Sequence, residues 1–214
     1  MNDLAERLAS VQGSIADAAR DAGRNPHEVT TIVVTKFQPV SLIRDLVELG
    51  VHDIGENRHQ EAQQKAAELA DVDVRWHFVG QLQGKKARQV RAYASAIHSV
   101  DRTSLVRELS KSNKKPPVFV QINVSGEASK GGFTPEESEA AVAEAKKALD
   151  VVGLMTMAPE GVDARPHFRR LRELAARLGL AGLSMGMTQD FEAAVEEGAT
   201  HVRVGTAIFD GVLI

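Results

Sequence analysis

The sequence predicts an α/β protein built as a single (β/α)8 TIM barrel with an extra N-terminal helix. Short runs rich in β-branched residues alternate with helical stretches from residue 30 to residue 205, the order expected of a parallel sheet covered by helices. Eight such runs occur, and a repeat of about 22 residues per unit is compact but sufficient to close a barrel. No Pro-rich or Gly-rich linker separates the units, so we expect residues 1–214 to form one domain.

The first element is a helix, which Gly23 and Pro26 end. Its apolar residues recur at steps of three and four, the spacing of one helical face. They are Leu4, Leu8, Val11, Ile15, Ala18 and Ala22.

Eight strands follow, each predicted from a short apolar or β-branched run. They span residues 30–36, 51–56, 74–80, 96–100, 117–124, 151–157, 182–186 and 201–205. Among the intervening helices, one begins near Thr134, because a proline follows this cap and Glu137 stands at the third helical position. Two others are expected over 164–179 and 188–198. The alternative is an open doubly wound sheet, but no Gly-x-Gly-x-x-Gly turn follows any strand.

The composition excludes several classes of protein. The 214 residues are 43% hydrophobic and 26% charged, which is typical of a globular domain and not of a disordered chain. The absence of cysteine excludes disulfides and thiolate chemistry. A net charge of -3 argues against a chain that coats nucleic acid, and no apolar run is long enough for a membrane span or a signal peptide. We therefore expect a cytoplasmic protein with neither a nucleic-acid nor a membrane partner.

The predicted functional end of the barrel is the mouth at the C-terminal ends of the strands. Lys36 is on the inward face of the first strand, and Arg203 is on the inward face of the last. These strands are neighbours in a closed barrel, so the two cations line one mouth and favour an anionic or electron-rich ligand. The alternatives are that Lys36 extends into solvent and that Arg203 forms an internal ion pair, for example with Glu56.

A phosphate site is expected beside them. Ser184 and Gly186 end the seventh strand, Gly205 and Thr206 follow the eighth, and these two loops bind phosphate in many barrels. A buried lysine amine beside a phosphate site indicates a Schiff base, because desolvation and a nearby positive charge favour the free amine. The aldehyde that carries its own phosphate is pyridoxal 5′-phosphate.

Eight ordered blocks carry a family resemblance that covers almost the whole chain. They are 34–36 (VTK), 55–58 (GENR), 76–83 (WHFVGQLQ), 98–101 (HSVD), 121–124 (QINV), 153–157 (GLMTM), 183–187 (LSMGM) and 202–209 (VRVGTAIF). With these blocks the sequence resembles the pyridoxal-phosphate homeostasis protein family, small single-domain relatives of the alanine racemase N-terminal barrel.

The resemblance implies a covalent cofactor, pyridoxal 5′-phosphate, held as an aldimine by Lys36. It implies that Arg203 faces the pyridine nitrogen and that Asn57 lies near the phenolic side of the ring. The phosphate would be bound by Ser184, Gly205 and Thr206. Thr188 departs from the family pattern, where serine is more common, and this bears on the phosphate contacts. No catalytic residue and no metal ligand are implied.

Two functions from different classes remain open. The first is a non-enzymatic protein that buffers pyridoxal phosphate or delivers it to apo-enzymes, working as a monomer. The second is a low-activity racemase, which needs a base on each face of the ring. Tyr93, the single tyrosine, is expected to point away from the mouth, and an arginine at the pyridine nitrogen makes the ring a poorer electron sink. Both features favour the binding protein. A cofactor-free aldolase that uses Lys36 alone is a third reading.

The remaining polar residues are given structural roles. His77, His98 and His201 are not expected to bind a metal, because their positions along the strands and their parity differ. Gln121 and Asn123 are interpreted as a hydrogen-bonded layer inside the barrel, with ligand contact as the alternative. The two basic clusters are interpreted as solvated faces, with partner docking as the alternative. They comprise Lys85, Lys86, Arg88 and Arg91, and Lys111, Lys114 and Lys115.

Overall fold

The computed structural model describes residues 2–127 and 129–210, and eight parallel strands form a closed barrel at its centre. The strands are β1 (Thr30–Val34), β2 (Asp53–Glu56), β3 (Arg75–Phe78), β4 (Ala96–Val100), β5 (Val118–Gln121), β6 (Val151–Met155), β7 (Gly182–Ser184) and β8 (His201–Val204). The barrel closes where β1 pairs with β8, with Thr30 opposite His201 and Val33 opposite Val204. The predicted (β/α)8 barrel is confirmed, and the open sheet is excluded.

Helices surround the barrel. Within the described ranges they are α1 (Asn2–Asp21), α2 (Val40–Glu48), α3 (His59–Glu68), α4 (Ala87–Tyr93), α5 (Thr103–Ser110), α6 (Ser138–Lys146), α7 (Arg165–Arg177), α8 (Phe191–Glu196) and α9 (Thr206–Phe209). The extra helix α1 packs against α8 and α9. Its predicted apolar stripe is buried from Leu4 to Ala18, whereas Ala22 is exposed because the helix ends at Asp21.

All eight predicted strands are present, but most end earlier than predicted. β1 ends at Val34 and β5 at Gln121, because the chain leaves the sheet there to line the mouth of the barrel. The apolar runs in the sequence are therefore longer than the strands, and their last residues lie in the loops at the mouth of the barrel. Beyond β5, Ile122 makes only an isolated bridge, with Phe133.

The predicted cap at Thr134 forms, although the helix begins later than expected. The Glu137 side chain accepts a hydrogen bond from the Thr134 amide at 2.9 Å, and the Thr134 hydroxyl accepts one from the Glu137 amide at 3.2 Å. These reciprocal bonds are those of a capping box. They stabilise a turn over 135–137, and α6 then starts at Ser138.

A pair of glycines lets an aromatic ring fill the barrel interior. Gly153 and Gly182 lie opposite each other on β6 and β7, and a Cβ on Gly153 would be 2.2 Å from the Gly182 carbonyl oxygen. A Cβ on Gly182 would lie 2.9 Å from the ring of Phe119. The buried ring of Phe119 packs against this bare stretch of backbone and stacks on His98, with ring centroids 4.4 Å apart.

Candidate functional site

A cavity of about 830 Å³ opens at the C-terminal ends of the strands, the end at which barrels of this kind carry their functional groups. Its wall collects residues from the ends of the strands and from the loops that follow them. They include Lys36, Asn57, Gly80, Asp101, Gln121, Lys130, Asp190, Arg203, Gly205 and Thr206. Of the six residues that sequence analysis assigned to the cofactor, five line this cavity and Ser184 does not.

Lys36 lies two residues beyond the end of β1, at the rim of the cavity, on the same side of the chain as Val34. The side chain is exposed. This corrects the expectation of a buried amine. An exposed amine at the rim is nevertheless open to a ligand that enters the cavity.

The residue before Lys36 is fixed from two sides. The Thr35 hydroxyl donates to Glu56 Oε1 at 2.6 Å, and Lys65 Nζ donates to the Thr35 carbonyl at 2.8 Å. Lys65 and Glu56 also form a buried ion pair at 2.6 Å, so Glu56 is the partner of Lys65 and not of Arg203. After Lys36, Phe37 has a φ of 65°, which is rare for a bulky residue and is often found at functional sites. The backbone conformation on both sides of Lys36 is thus fixed by these contacts.

Arg203 is a buried cation that faces the cavity from β8. Only 5% of the residue is exposed, and its guanidinium donates to the Ser184 hydroxyl at 2.6 Å and to the Thr156 carbonyl at 3.0 Å. Within the described residues no carboxylate lies within ion-pair distance of it. Burial lowers the pKa of Arg203 to about 10, while the charge of Asp190 acts in the opposite direction. Arg203 therefore remains charged at neutral pH, and its charge acts on whatever occupies the cavity.

A column of hydrogen bonds runs from Arg203 into the barrel. The Ser184 hydroxyl contacts His98 Nδ1 at 2.8 Å, His98 Nε2 contacts His77 Nδ1 at 2.9 Å, and His77 Nε2 contacts Asp53 Oδ1 at 2.8 Å. Burial and the neighbouring positive groups hold the pKa of His98 well below its usual value, so it is neutral. One proton assignment then satisfies every link, since Arg203, Ser184, His98 and His77 each donate to the next group toward Asp53. The column orients Arg203 from below.

The three histidines of the interior lie together, which differs from the expectation based on parity. The ring of His201 lies 5.8 Å from that of His98 and 6.3 Å from that of His77. Strands of a barrel are staggered, so side chains at different positions along different strands can share one layer. In the parts of the chain described, no group of His, Cys, Asp or Glu side chains is arranged to hold a metal ion.

The partial burial of His201 makes stability depend on pH. Burial lowers the pKa of His201 to about 4 from an ordinary 6.5. The unfolded chain therefore takes up this proton first, and folding free energy is lost as the pH falls below 6.5 toward 4. We expect His201 to contribute a loss of about 2 kcal/mol between roughly pH 7.5 and pH 5. Urea unfolding at both values measures it.

The variant His201→Asn should remove this share of the pH dependence. His27→Asn is the matched control, because His27 is exposed and should leave the dependence unchanged. An equal slope of stability against pH in wild type and in His201→Asn would contradict the assignment.

Asn57 supplies an amide to the cavity wall. Its Oδ1 is buried and has no hydrogen-bond partner within the described residues. A buried acceptor left without a partner costs about 1–3 kcal/mol, so this amide is suited to a polar group of a ligand. Gly80 is required beside it, because a Cβ there would lie 2.1 Å from the Asn57 carbonyl oxygen.

Hydroxyl and amide groups meet at the end of the cavity near β7 and β8. Thr188 lines this end, and its Oγ1 accepts long hydrogen bonds from the amides of Gly205 and Ala207, at 3.5 and 3.4 Å. Gly205 approaches β1 so closely that a Cβ would lie 3.0 Å from the Val34 carbonyl oxygen. Thr206 adds a second hydroxyl on the cavity wall. This group of donors can bind an anion.

Ser184 lies apart from these donors, and its predicted contact with the phosphate stays a prediction. Its side chain is fully buried outside the cavity wall, and its hydroxyl is already bonded to Arg203 and His98. Thr188, four residues further along the chain, presents a hydroxyl to the cavity instead. The resemblance named Thr188 as bearing on the phosphate contacts but did not assign it one. Its place in the loop after β7, beyond Gly186, is the sequence signal for such a contact.

Of the polar residues that sequence analysis gave structural roles, Gln121 lines the cavity, and its amide donates to the Gly131 carbonyl at 2.9 Å. Asn123 instead bonds to carbonyls of its own loop. Tyr93 lies outside the cavity wall, between α3 and α4, where its ring stacks on His59 and burial raises its pKa.

Comparisons with known proteins place this chain in a family. The sequence matches the family described as the alanine racemase N-terminal domain over residues 21–211. It is 45% identical to the pyridoxal phosphate homeostasis protein of Pseudomonas aeruginosa, over 98% of this chain and 96% of that protein. The chain belongs to the pyridoxal phosphate homeostasis protein family. The family's Aquifex aeolicus protein is 39% identical, over 95% of this chain and 96% of that one.

Solved structures of the pyridoxal phosphate homeostasis protein family and of more distant barrels agree with this fold. PipY of Synechococcus elongatus, solved with pyridoxal phosphate bound, is 35% identical and superposes with a TM-score of 0.83, over 96% of this chain and 99% of that one. Alanine racemase of Corynebacterium glutamicum is 16% identical with a TM-score of 0.69, over 96% of this chain and 64% of that enzyme, a likeness of fold alone. None of the helices described here has the length and apolar character needed to cross a membrane.

Proposed function

We propose that this chain binds pyridoxal 5′-phosphate in the cavity at the barrel mouth and takes part in its homeostasis, by buffering or delivery to apo-enzymes. The observation that carries the proposal is the convergence of Lys36, Arg203 and the donors of Thr188, Gly205 and Thr206 on one cavity. A family relative with the same barrel has been solved with pyridoxal phosphate bound. The proposal takes residues 1–214 as one monomeric domain; the cytoplasmic location stays a prediction.

The residues of the cavity fit this cofactor. Lys36 would hold the aldehyde carbon as an aldimine, and Arg203 would face the pyridine nitrogen. The unpartnered amide of Asn57 would contact the phenolic side of the ring. The phosphate would be bound by Thr188, Gly205 and Thr206. A Cβ at position 205 would crowd the Val34 carbonyl oxygen, which favours glycine there. Ser184 would act on the cofactor only through Arg203.

The same cavity argues against substantial catalysis. When bound, pyridoxal phosphate supplies an imine and an electron-accepting ring. Arg203 stays charged at neutral pH, so it would donate a hydrogen bond to the pyridine nitrogen and leave that nitrogen unprotonated. A carboxylate at this place would instead accept a hydrogen bond from a protonated nitrogen, which makes the ring a better electron sink. Tyr93 is the single tyrosine of the sequence and lies outside the cavity wall, so it cannot act as a base opposite Lys36.

Titration with pyridoxal phosphate, followed by amino-acid assays, tests both parts of the proposal. We expect one cofactor bound per chain, and no more racemisation, transamination or decarboxylation than free cofactor gives. A missing general acid or base typically lowers a rate by about 10²–10⁴-fold. Chiral chromatography and keto-acid detection measure turnover. Failure to bind the cofactor would overturn the proposal, and several turnovers per second on one amino acid would restore the racemase.

A further inference from the structure

A second cleft, of about 630 Å³, lies outside the barrel between α4 and α5. It brings together the two basic clusters that lie apart in the sequence. Its charged lining residues are Lys85, Arg88, Arg91, Lys111, Lys114 and Glu108. None of these residues lines the cavity at the barrel mouth. The single carboxylate, Glu108, is paired with Lys111 at 2.6 Å, so an excess of positive charge remains.

Arg91 gives this cleft a buried cation with an unmet donor. The residue is only 5% exposed, and its Nη1 donates to the carbonyls of Leu109 and Glu108 at 2.6 and 3.2 Å. Its Nε is buried and has no hydrogen-bond partner among the residues described. Burial lowers the pKa of Arg91, and the charge of Arg88 lowers it further. A guanidinium in this state is stabilised by an anion beside it.

The other cations of the cleft are available to such an anion. Lys85 and Arg88 are exposed, and within the described ranges neither makes an ion pair or a side-chain hydrogen bond. Lys114 is oriented by a bond from its Nζ to the Ala92 carbonyl at 2.6 Å. The positive charges that line one cleft repel one another, so binding a multivalent anion relieves this repulsion as well as making new bonds.

We propose that this cleft binds a small ligand that carries two or more phosphate charges. Its volume is that of an ordinary small-molecule site. Arginine and lysine side chains are the groups that proteins use for phosphate, because they combine charge with several N–H donors. Among the described residues no aromatic side chain lines the cleft, so this lining lacks the stacking surface that single-stranded nucleic acids use.

Calorimetric titration of the full chain with tripolyphosphate, with and without saturating pyridoxal phosphate, tests this proposal. The double variant Lys85→Gln/Arg88→Gln should bind about tenfold more weakly, and raising the salt concentration should weaken wild-type binding. The matched control Lys147→Gln/Arg177→Gln removes two exposed charges outside the cleft and should bind as wild type does.

The affinity of Arg91→Met for tripolyphosphate tests the role of the buried cation, and circular dichroism shows whether this variant folds. If the variant does not fold, the affinity of Lys85→Gln/Arg88→Gln alone decides the proposal. The proposal fails if wild type does not bind tripolyphosphate, or if both double variants lose affinity equally. If a single-stranded RNA oligomer binds more tightly than tripolyphosphate through the same residues, the proposal of a small ligand is overturned and the cleft is a nucleic-acid site. Both double variants should bind pyridoxal phosphate normally, so failure here leaves the function proposed for the mouth intact.

Discussion

Lys36→Ala is expected to abolish covalent attachment of pyridoxal phosphate while leaving the barrel folded. The side chain is exposed at the rim and takes part in none of the ion pairs of the described residues, so its loss should cost little stability. The anchoring bonds next to it belong to Thr35 and Lys65 and are untouched by the substitution. Borohydride reduction of the wild-type complex, followed by peptide mass mapping, should place the pyridoxyl group on Lys36, and the variant should carry none.

The matched control for this experiment is Lys130→Ala. Of the residues that the structure describes, Lys130 is the other lysine in the cavity wall. Its Nζ is held by the Ala158 carbonyl at 2.6 Å and by Glu127 at 3.3 Å. An amine engaged as a donor to two oxygens is less free to attack an aldehyde than the exposed amine of Lys36. The control should therefore retain the label on Lys36. A pyridoxyl group found on Lys130 of the wild-type protein would contradict the assignment.

The architecture could be predicted because each element carries its own local pattern. The stripe from Leu4 to Ala18 specifies α1, and a short apolar or β-branched run specifies the strand before each later helix. The strand ends could not be predicted, since Thr35 and Lys36 continue the alternating pattern of β1 into a loop whose direction depends on contacts of Thr35 with Glu56 and Lys65. Those contacts join residues about 20 to 30 positions apart, beyond the reach of a local pattern.

The residues at the rim of the site could be predicted from the alternation of side chains along each strand. How deep in the barrel each side chain lies could not be predicted in this way. Parity states which face of a strand a residue occupies, and it correctly brings Lys36, Arg203 and Gly205 to one cavity. Parity does not state at which level along the barrel axis the side chain lies. Ser184 lies opposite His201 in the sheet, so it is below Arg203, and the long arginine side chain reaches back down to it. For the same reason parity did not predict that the three interior histidines lie together, because their common layer follows from the stagger of the strands.

The phosphate of the cofactor is expected to supply a large part of its affinity. Thr188, Gly205 and Thr206 offer hydroxyl and amide donors at one end of the cavity. Hydrogen bonds to a charged group contribute about 1.5–3 kcal/mol each, so two of them correspond to roughly 10²- to 10⁴-fold in the dissociation constant. Pyridoxal, which lacks the phosphate, should bind more weakly by a factor in this range. Parallel spectroscopic titrations with the two aldehydes measure it.

Two hydroxyl variants separate a phosphate contact from an indirect effect. Thr188→Val keeps the shape of the side chain and should weaken binding of pyridoxal phosphate while leaving that of pyridoxal nearly unchanged. Ser184→Ala removes a hydroxyl that bonds Arg203 and His98 and lies outside the cavity wall, so it should affect both aldehydes alike. If Ser184→Ala instead weakens only the phosphorylated ligand, Ser184 contacts the phosphate after all, as the family resemblance implies. Unchanged binding of pyridoxal phosphate by Thr188→Val would contradict the role assigned to Thr188.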